Sequence, residues 1–487
     1  MAIRTPIKKL GQNALVYGIG NVLSKLAAFL LIPIYTRYLT TSDIGIMALL
    51  EMVELFMITV LPMGLVGAIW RRLPASGIAD KKCVISSAFW FIQLISFIVL
   101  ILLSSTAGNI AAFLKFGENG GVYLLITAVN VFLFIGGQFI LWMFQYEQQP
   151  YKYLILSITQ FVGILLLSIY FIIYRGMGLQ GLLFSKTIMF GIIFILSTIY
   201  VVKTAFVLPR LSTLIPLLKY GIPLIIMALV TPVLTMSDRF ILNLFVSIDQ
   251  IGIYSVAYKF GMLINIVLIA PIQRGWSPIM YKMGINKDTR HIYKDILFYY
   301  GVLGSFLFLI ISFLADDILR LFTTPAYLVG AKYIPIITYA YYLSGFRNFL
   351  IAGAMLKDKT ISIGKSGVLA IIFNLISNYL LIKYFNIAGA AWATLISYAF
   401  LVIMIYFVSQ KASPLNWGWN RMIKLTMITI FCFILVNTLV FFIDSIPKII
   451  LTIFGLSLFI LLGFCTRIVG RREIKGIKEI AKHLFNR

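Results

Sequence analysis

The sequence predicts an all-α polytopic membrane protein with fourteen transmembrane helices. Of its 487 residues, 61% are hydrophobic and only 12% are charged, and the mean hydropathy is +1.00. Soluble domains carry roughly 25% charged residues. The apolar residues form runs of about 20, the length that an α-helix needs to cross a bilayer. These runs leave no room for a separate soluble enzyme domain.

The predicted spans follow one another with short polar connections. The first apolar run is too long for a cleavable signal peptide, so we expect it to be retained as the first span. The predicted limits are 13–36, 43–69, 83–106, 121–145, 151–174, 178–202, 217–240, 250–273, 296–315, 331–356, 361–382, 388–409, 422–443 and 447–466.

The distribution of basic residues predicts the orientation. With a cytoplasmic N-terminus, 29 of the 41 Lys and Arg residues lie in inside segments and 8 in outside segments. Inside loops of membrane proteins are enriched in Lys and Arg, so we expect both termini in the cytoplasm. The net charge of +25 then reflects topology. Because the charges are scattered over many loops, the sequence does not favour a nucleic-acid partner.

The chain repeats itself after six spans. Tyr17–Ile19 recurs as Tyr220–Ile222, and Asp43–Ile46 recurs as Asp249–Ile253. The shared order and offset predict two six-helix lobes in the same orientation, related by an axis along the membrane normal. The predicted domains are 1–208, 209–412 and a third segment, 413–487, with spans thirteen and fourteen and a basic tail.

Four basic residues lie deep within predicted spans: Lys25, Lys186, Lys259 and Arg347. A cation in the middle of a bilayer costs several kcal/mol unless it is paired or hydrated, so such residues are candidate functional groups. The four cations predict a cavity that receives an anion. For Lys186, a hydrogen bond to a backbone carbonyl is the alternative.

Glu51 and Glu54 are three residues apart on the second span and therefore share a helix face. Glu54 lies at a depth close to that of Lys25, so a structural Lys25–Glu54 ion pair is one interpretation. The other is that one carboxylate carries a proton or binds a cation and thereby couples transport to protons or Na⁺. Cys83, Cys432 and Cys465 show no metal-ligand spacing, and we expect no cofactor.

A second charged group stands at the outer ends of two spans. Asp238 and Arg239 end the seventh span, and Arg37 ends the first. These three residues are predicted to form an outer gate.

Three short motifs indicate a protein family. Tyr35–Thr40 leads into Asp43–Gly45, and Gly389–Ala391 runs on to Ser397 in span twelve; Tyr327, Ala331 and Pro335 precede or enter span ten. Over nearly its whole length the chain resembles the O-antigen-type (Wzx-like) lipid-linked oligosaccharide flippases, polysaccharide transporters of the multidrug/oligosaccharidyl-lipid/polysaccharide (MOP) exporter superfamily.

The resemblance implies two lobes in a V shape around a central cavity that opens alternately to either side of the bacterial inner membrane. It implies that undecaprenyl-diphosphate-linked oligosaccharide moves from the cytoplasmic to the periplasmic leaflet, with membrane lipids and other polysaccharide-assembly proteins as partners. It also implies that Lys25 and Lys259 face the cavity. Glu51 and Glu54 depart from the lipid II branch, where span two bears a cation, which favours a polysaccharide unit as substrate.

Two other function classes remain open. A cation-coupled multidrug exporter of the same superfamily is expected to have a more apolar cavity with isolated acidic groups. A polysaccharide polymerase or ligase places its chemistry in a long periplasmic loop, and no outside connection here is long enough. We therefore expect a transporter without enzymatic activity.

Overall fold

The structure is a computed structural model that describes Phe29 and residues 31–285, 289–442 and 447–466. Most of these residues are helical, and none of them lies in a strand. A helix pairs the backbone N–H and C=O groups of its interior by hydrogen bonds within one segment. A single segment that crosses a bilayer must do this, because the hydrocarbon core contains no water to bond these groups. The predicted all-α polytopic fold is confirmed, and the protein is a multi-pass membrane protein.

Eleven helices of the described residues are long and apolar enough to cross a membrane. The first predicted span, with Lys25, lies almost wholly outside these residues. The helix of the tenth, Ile334–Leu350, has 17 residues, because the chain from Pro325 to Tyr333 forms a 3₁₀ segment instead. Spans eleven and twelve form one continuous element, Thr360–Ala412. These three differences explain why the described residues form eleven such helices where the sequence predicts fourteen spans.

The helices fall into two compact units. The first comprises the described part of Met1–Val256, with Phe322–Tyr327 and Gly367–Thr394. Its core forms where apolar faces meet around Phe89, Ile135 and Phe139. Its helices are α1 (Ile32–Tyr38), α2 (Thr41–Val60), α3 (Leu65–Arg72), α4 (Ile78–Phe113), α5 (Gly120–Tyr146), α6 (Pro150–Ile169), α7 (Gly178–Ala205), α8 (Leu211–Phe245) and the start of α9 (Ile248–Gly261).

The second unit comprises Ala257–Leu321, Leu328–Ser366 and the described part of Leu395–Arg487. Aromatic side chains fill much of it; the Tyr300 ring contacts those of Tyr342, Phe346 and Phe349. Its helices are the end of α9, then α10 (Ala270–Met283), α11 (Arg290–Phe313), α12 (Ala315–Phe322), α13 (Ile334–Leu350), α14 (Ala352–Met355), the two ends of α15 (Thr360–Ala412), α16 (Trp419–Phe442) and α17 (Lys448–Cys465). The predicted domain boundaries stay a prediction.

The second span is broken near its C-terminal end. Helix α2 ends at Val60, and Met63 and Gly64 have φ angles of 50° and 66° before α3 begins. Glycine adopts this left-handed conformation without the penalty that a Cβ imposes. A Cβ on Gly64 would also collide with the backbone of Gly221 in α8. The break and its close packing against α8 therefore both require glycine.

The repeated glycine motif is a packing motif. A Cβ on Gly45 in α2 would collide with the backbone carbonyl of Ile248, and one on Gly252 in α9 with that of Thr41. The two copies of the motif thus pack against each other reciprocally. Thr41 also donates a hydrogen bond of 2.5 Å to Asp249. Small residues at helix crossings let backbones approach closely, which is how membrane helices associate.

Asn386 divides α15 where the sequence predicts the boundary between spans eleven and twelve. It has a φ of 51° and a ψ of −130°, whereas the residues on either side are helical. Asparagine tolerates a positive φ better than most residues.

Candidate functional site

One of the described intramembrane cations forms an ion pair between two helices of the first unit. The ammonium nitrogen of Lys186 in α7 donates to both carboxylate oxygens of Glu54 in α2, at 2.9 and 3.2 Å. The two side chains are only 17% and 14% exposed. Lys186 therefore donates to the Glu54 carboxylate and not, as the alternative interpretation had it, to a backbone carbonyl. Lys25, the other predicted partner of Glu54, lies outside the described residues.

The backbone beside Lys186 is held by a polar clamp. The side-chain amide of Asn130 in α5 donates to the carbonyl of Leu183 at 3.1 Å, and its oxygen accepts from Thr187 at 2.8 Å. Asn130 is 1% exposed, and such buried hydrogen bonds fix a helix in register. The clamp spans the helical turn that carries Lys186, so it fixes the backbone from which the Lys186 side chain extends.

Glu51 adds a second carboxylate to this pair. It lies one helical turn from Glu54 and within electrostatic range of Lys186 and of the buried Tyr35 in α1. Among the residues that the structure describes, the cluster thus combines one cation with two carboxylates. We call Glu51, Glu54 and Lys186 the charge cluster. It can exchange an anion on Lys186 or bind a proton or cation between the carboxylates.

The predicted gate residues take two different environments. Asp238 and Arg239 lie 2% and 3% exposed in α8, with 2.7 Å between carboxylate and guanidinium. Tyr254 donates to the other Asp238 oxygen at 2.6 Å, and Arg239 donates to the Thr235 carbonyl at 2.5 Å. Arg37, by contrast, is exposed at the end of α1. The Asp238–Arg239 pair is a fully hydrogen-bonded internal network, and a gating role for it stays a prediction.

The sequence reasoning missed a buried amide cluster beside this network. Ser237 donates to the side-chain oxygen of Asn374 at 2.9 Å, and Asn378 donates to the same oxygen at 3.1 Å. Asn374 and Asn378 are fully buried in α15. Two asparagines four residues apart in an otherwise apolar span were the signal that could have revealed them, because intramembrane polar residues require partners.

The second unit contains the other two described intramembrane cations. Lys259 follows Tyr258, whose hydroxyl lies 2.9 Å from that of Tyr341. The Tyr341 ring contacts the ring of Tyr398 at 5.5 Å, and Tyr398 lies within electrostatic range of Arg347. A chain of tyrosines thus links the surroundings of Lys259 and Arg347, and both cations are half-buried.

No group of three or more His, Cys, Asp or Glu side chains in the described ranges is arranged to hold a metal ion. The three cysteines are free thiols, of which Cys83 and Cys432 are buried.

Solved structures with a similar fold are membrane transporters. A lipid II flippase, MurJ, in an inward closed conformation aligns with a TM-score of 0.75 and 16% identity over 94% of this chain and 100% of that chain. An inward-facing multidrug resistance MATE transporter of the MOP superfamily aligns with a TM-score of 0.63 and 12% identity over 82% and 97% of the two chains.

A variant of the MATE transporter VcmN from Vibrio cholerae aligns with a TM-score of 0.60 and 15% identity, over 83% of this chain and 96% of that chain. At these identities the likeness shows the fold. No curated protein sequence matches the chain at a significant level.

The sequence profile of one family, described as polysaccharide biosynthesis protein, matches residues 10–284. The match covers more than half of the 487 residues. It includes the whole charge cluster and the repeated glycine motif. The chain therefore belongs to the family of polysaccharide biosynthesis proteins, and its fold is that of the MOP exporter superfamily.

Proposed function

We propose that this protein is a flippase that moves undecaprenyl-diphosphate-linked oligosaccharide units from the cytoplasmic to the periplasmic leaflet of a bacterial inner membrane. The Lys186–Glu54 ion pair, within the part of the chain that matches the family, carries the proposal. The fold shared with a lipid II flippase supports it. The proposal involves no covalent chemistry.

The obstacle to this transport is the charge of the diphosphate. An anion that enters hydrocarbon loses its hydration, at a cost of many kcal/mol unless other groups replace the water. Lysine and arginine side chains on helices can replace it, as charge-assisted hydrogen bonds to phosphate oxygens. Lys186, Lys259 and Arg347 are the described residues that offer such bonds inside the membrane, and Lys25 is the predicted fourth.

In the absence of substrate, Glu54 stabilises the Lys186 ammonium. An unpaired cation would be costly at 17% exposure, and the carboxylate removes this cost. A diphosphate carries more negative charge than one carboxylate and competes with it for the ammonium. The ion pair therefore acts as a replaceable counterion, present in the resting protein and displaced by the substrate.

When the substrate displaces Glu54 from Lys186, the two carboxylates favour uptake of a cation. Once Lys186 binds phosphate, Glu51 and Glu54 stand one helical turn apart without the ammonium between them, and like charges at this spacing repel. A proton or Na⁺ taken up by the carboxylates relieves the repulsion. Its later release restores the Lys186–Glu54 pair and expels the phosphate, which couples transport to a cation gradient.

A cation-coupled multidrug exporter is the second candidate function. The fold similarity to MATE transporters favours it, as does the presence of two carboxylates in one cluster. The two functions differ in the role of Lys186. A drug exporter for cationic compounds needs the carboxylates free, whereas a flippase needs the ammonium.

The test uses a strain whose surface polysaccharide depends on this protein. Lys25→Ala, Lys186→Ala, Lys259→Ala and Arg347→Ala are compared with Lys357→Ala, which removes an exposed loop cation. We expect the four intramembrane variants to lower surface polysaccharide about tenfold or more at matched protein level, since each removes a charge-assisted hydrogen bond. The Lys357 control keeps the wild-type level.

Normal export by all four variants would contradict the flippase mechanism. Resistance of the same cells to cationic dyes, measured in parallel, separates the second candidate. A drug exporter loses resistance on Glu51→Gln or Glu54→Gln and keeps it on Lys186→Ala.

A further inference from the structure

A cavity that none of the preceding sites uses lies within the first unit. It has a volume of about 370 Å³ and opens between the end of α3, the start of α4 and the start of α8. Small-molecule sites occupy roughly 300–1,000 Å³, so the cavity is large enough for a ligand. Its polar wall consists of Arg71, Arg72, Asp80, Ser212, Thr213 and Tyr220.

The charge of the wall selects an anion. Arg71 and Arg72 bring two guanidinium groups against the single carboxylate of Asp80. Both arginines are exposed, and neither forms an ion pair with an acidic residue of the described chain, so their N–H donors are accessible to a ligand. The hydroxyls of Ser212 and Thr213 add donors that suit phosphate oxygens.

One of the two arginines is held in place. The Arg71 guanidinium lies over the Tyr220 ring, 4.5 Å from its centroid. A guanidinium stacked on an aromatic face keeps its N–H groups directed outward in the plane. Arg71 is therefore oriented for bidentate contact before a ligand arrives, which lowers the entropic cost of binding.

The depth of the cavity points to a lipid. Tyr220, which lines the cavity, and Trp70, which precedes the lining residue Arg71, are each 38% exposed, and such aromatic residues concentrate at the level of the lipid headgroups. The cavity lies at the ends of spans two, three and seven that the positive-inside rule places in the cytoplasm. Its floor is apolar, formed by Ala68, Val84 and Leu217. A headgroup phosphate of the inner leaflet lies at this height, with apolar chains beside it.

We propose that this cavity binds the phosphate-bearing headgroup of an inner-leaflet lipid, with Arg71 and Arg72 contacting the phosphate oxygens. An anionic phospholipid and a lipid diphosphate share this chemistry. The site is distinct from the charge cluster, and its occupation does not depend on which lipid the protein transports. Binding alone therefore tests it.

The experiment measures binding to the full-length protein in phosphatidylcholine nanodiscs. The probes are undecaprenyl diphosphate, phosphatidylglycerol and inorganic pyrophosphate, each titrated separately. The double variant Arg71→Gln/Arg72→Gln is compared with Lys357→Gln/Lys359→Gln, which removes the same charge from an exposed loop. Tyr220→Leu, which removes only the ring under Arg71, provides a milder variant if the double variant folds poorly.

We expect at least one of the two lipid probes to bind the wild-type protein, and the arginine double variant to bind it about tenfold more weakly or worse. Tyr220→Leu weakens binding by a smaller factor, and the lysine control stays within about twofold of wild type because long-range charge is screened. The stronger lipid probe identifies the source of the phosphate. Equal affinity of wild type and arginine variant, or pyrophosphate binding as tight as lipid binding, overturns the proposal. Loss of transport on Lys186→Ala with intact lipid binding separates this site from the proposed flippase mechanism.

Discussion

Lys186 and Glu54, 132 residues apart in the chain, form an ion pair of 2.9 Å between helices α7 and α2. From the sequence, Lys186 is predicted as a substrate contact and Glu54 as a coupling residue. The ion pair brings these two residues together. Its position makes each the resting partner of the other. The roles of the two residues must therefore be tested together.

Removal of one partner should destabilise the protein more than removal of both. Glu54→Gln leaves the Lys186 ammonium without its carboxylate, a change that costs about 3–5 kcal/mol in a fully buried pair and less at 14–17% exposure. We expect Lys186→Met combined with Glu54→Gln to recover most of this loss, because neither member of the ion pair is left charged without the other. Thermal unfolding of the detergent-purified variants measures the effect.

The double variant also separates stability from function. It should unfold near the wild-type temperature and still fail to export polysaccharide, since the ammonium is absent. If it exported normally, the ion pair would serve the scaffold alone.

The carboxylates should differ in their effect on ion dependence. Glu51→Gln leaves the Lys186–Glu54 pair in place and removes only the second charge, so export should continue with an altered dependence on pH or Na⁺. Transport assays at several pH values, with and without sodium, provide the measurement. An unchanged ion dependence for both Glu51→Gln and Glu54→Gln would leave the carboxylates as structural groups.

The network around Asp238 should be important for folding. Asp238→Asn removes the carboxylate that pairs with the buried Arg239 guanidinium, and we expect a loss of about 3–5 kcal/mol or a failure to accumulate in the membrane. Tyr254→Phe removes one hydrogen bond to Asp238 and should cost about 1–3 kcal/mol. Expression level and unfolding temperature report both effects. A stable Asp238→Asn protein with lost transport would instead support the predicted gating role.

The reciprocal glycine contacts should tolerate no added methyl group. Gly45→Ala or Gly252→Ala places a Cβ against a backbone carbonyl, which cannot move aside as a side chain can, and we expect a cost of about 1–3 kcal/mol or more. Gly108→Ala in α4 is the matched control, because its added Cβ meets no atom. That variant should be as stable as wild type or slightly more stable. Equal stability of all three variants would show that α2 and α9 can separate without cost.

The sequence showed the repeated glycine motif but not that its two copies pack against each other. Thr40 and Asp43 form a capping box, with hydrogen bonds of 3.0 Å in both directions, and Gly45 makes the close crossing possible. The same stretch is one of the motifs on which the resemblance to the flippase family rests. Capping is local and readable from spacing. The crossing with Ile248 involves residues about 200 positions away, which no local pattern specifies.

The sequence by itself determined the membrane class, the helical fold, the repeat and the identity of the intramembrane charges. These follow from composition and periodicity, because a bilayer forces every apolar run of sufficient length into a helix. Only the tertiary structure decided which charges meet. It joined Glu54 to Lys186, enclosed Arg239 between Asp238 and Tyr254, and brought Arg71 onto Tyr220. Partners of this kind lie on different turns or helices, and their distances depend on how the helices pack.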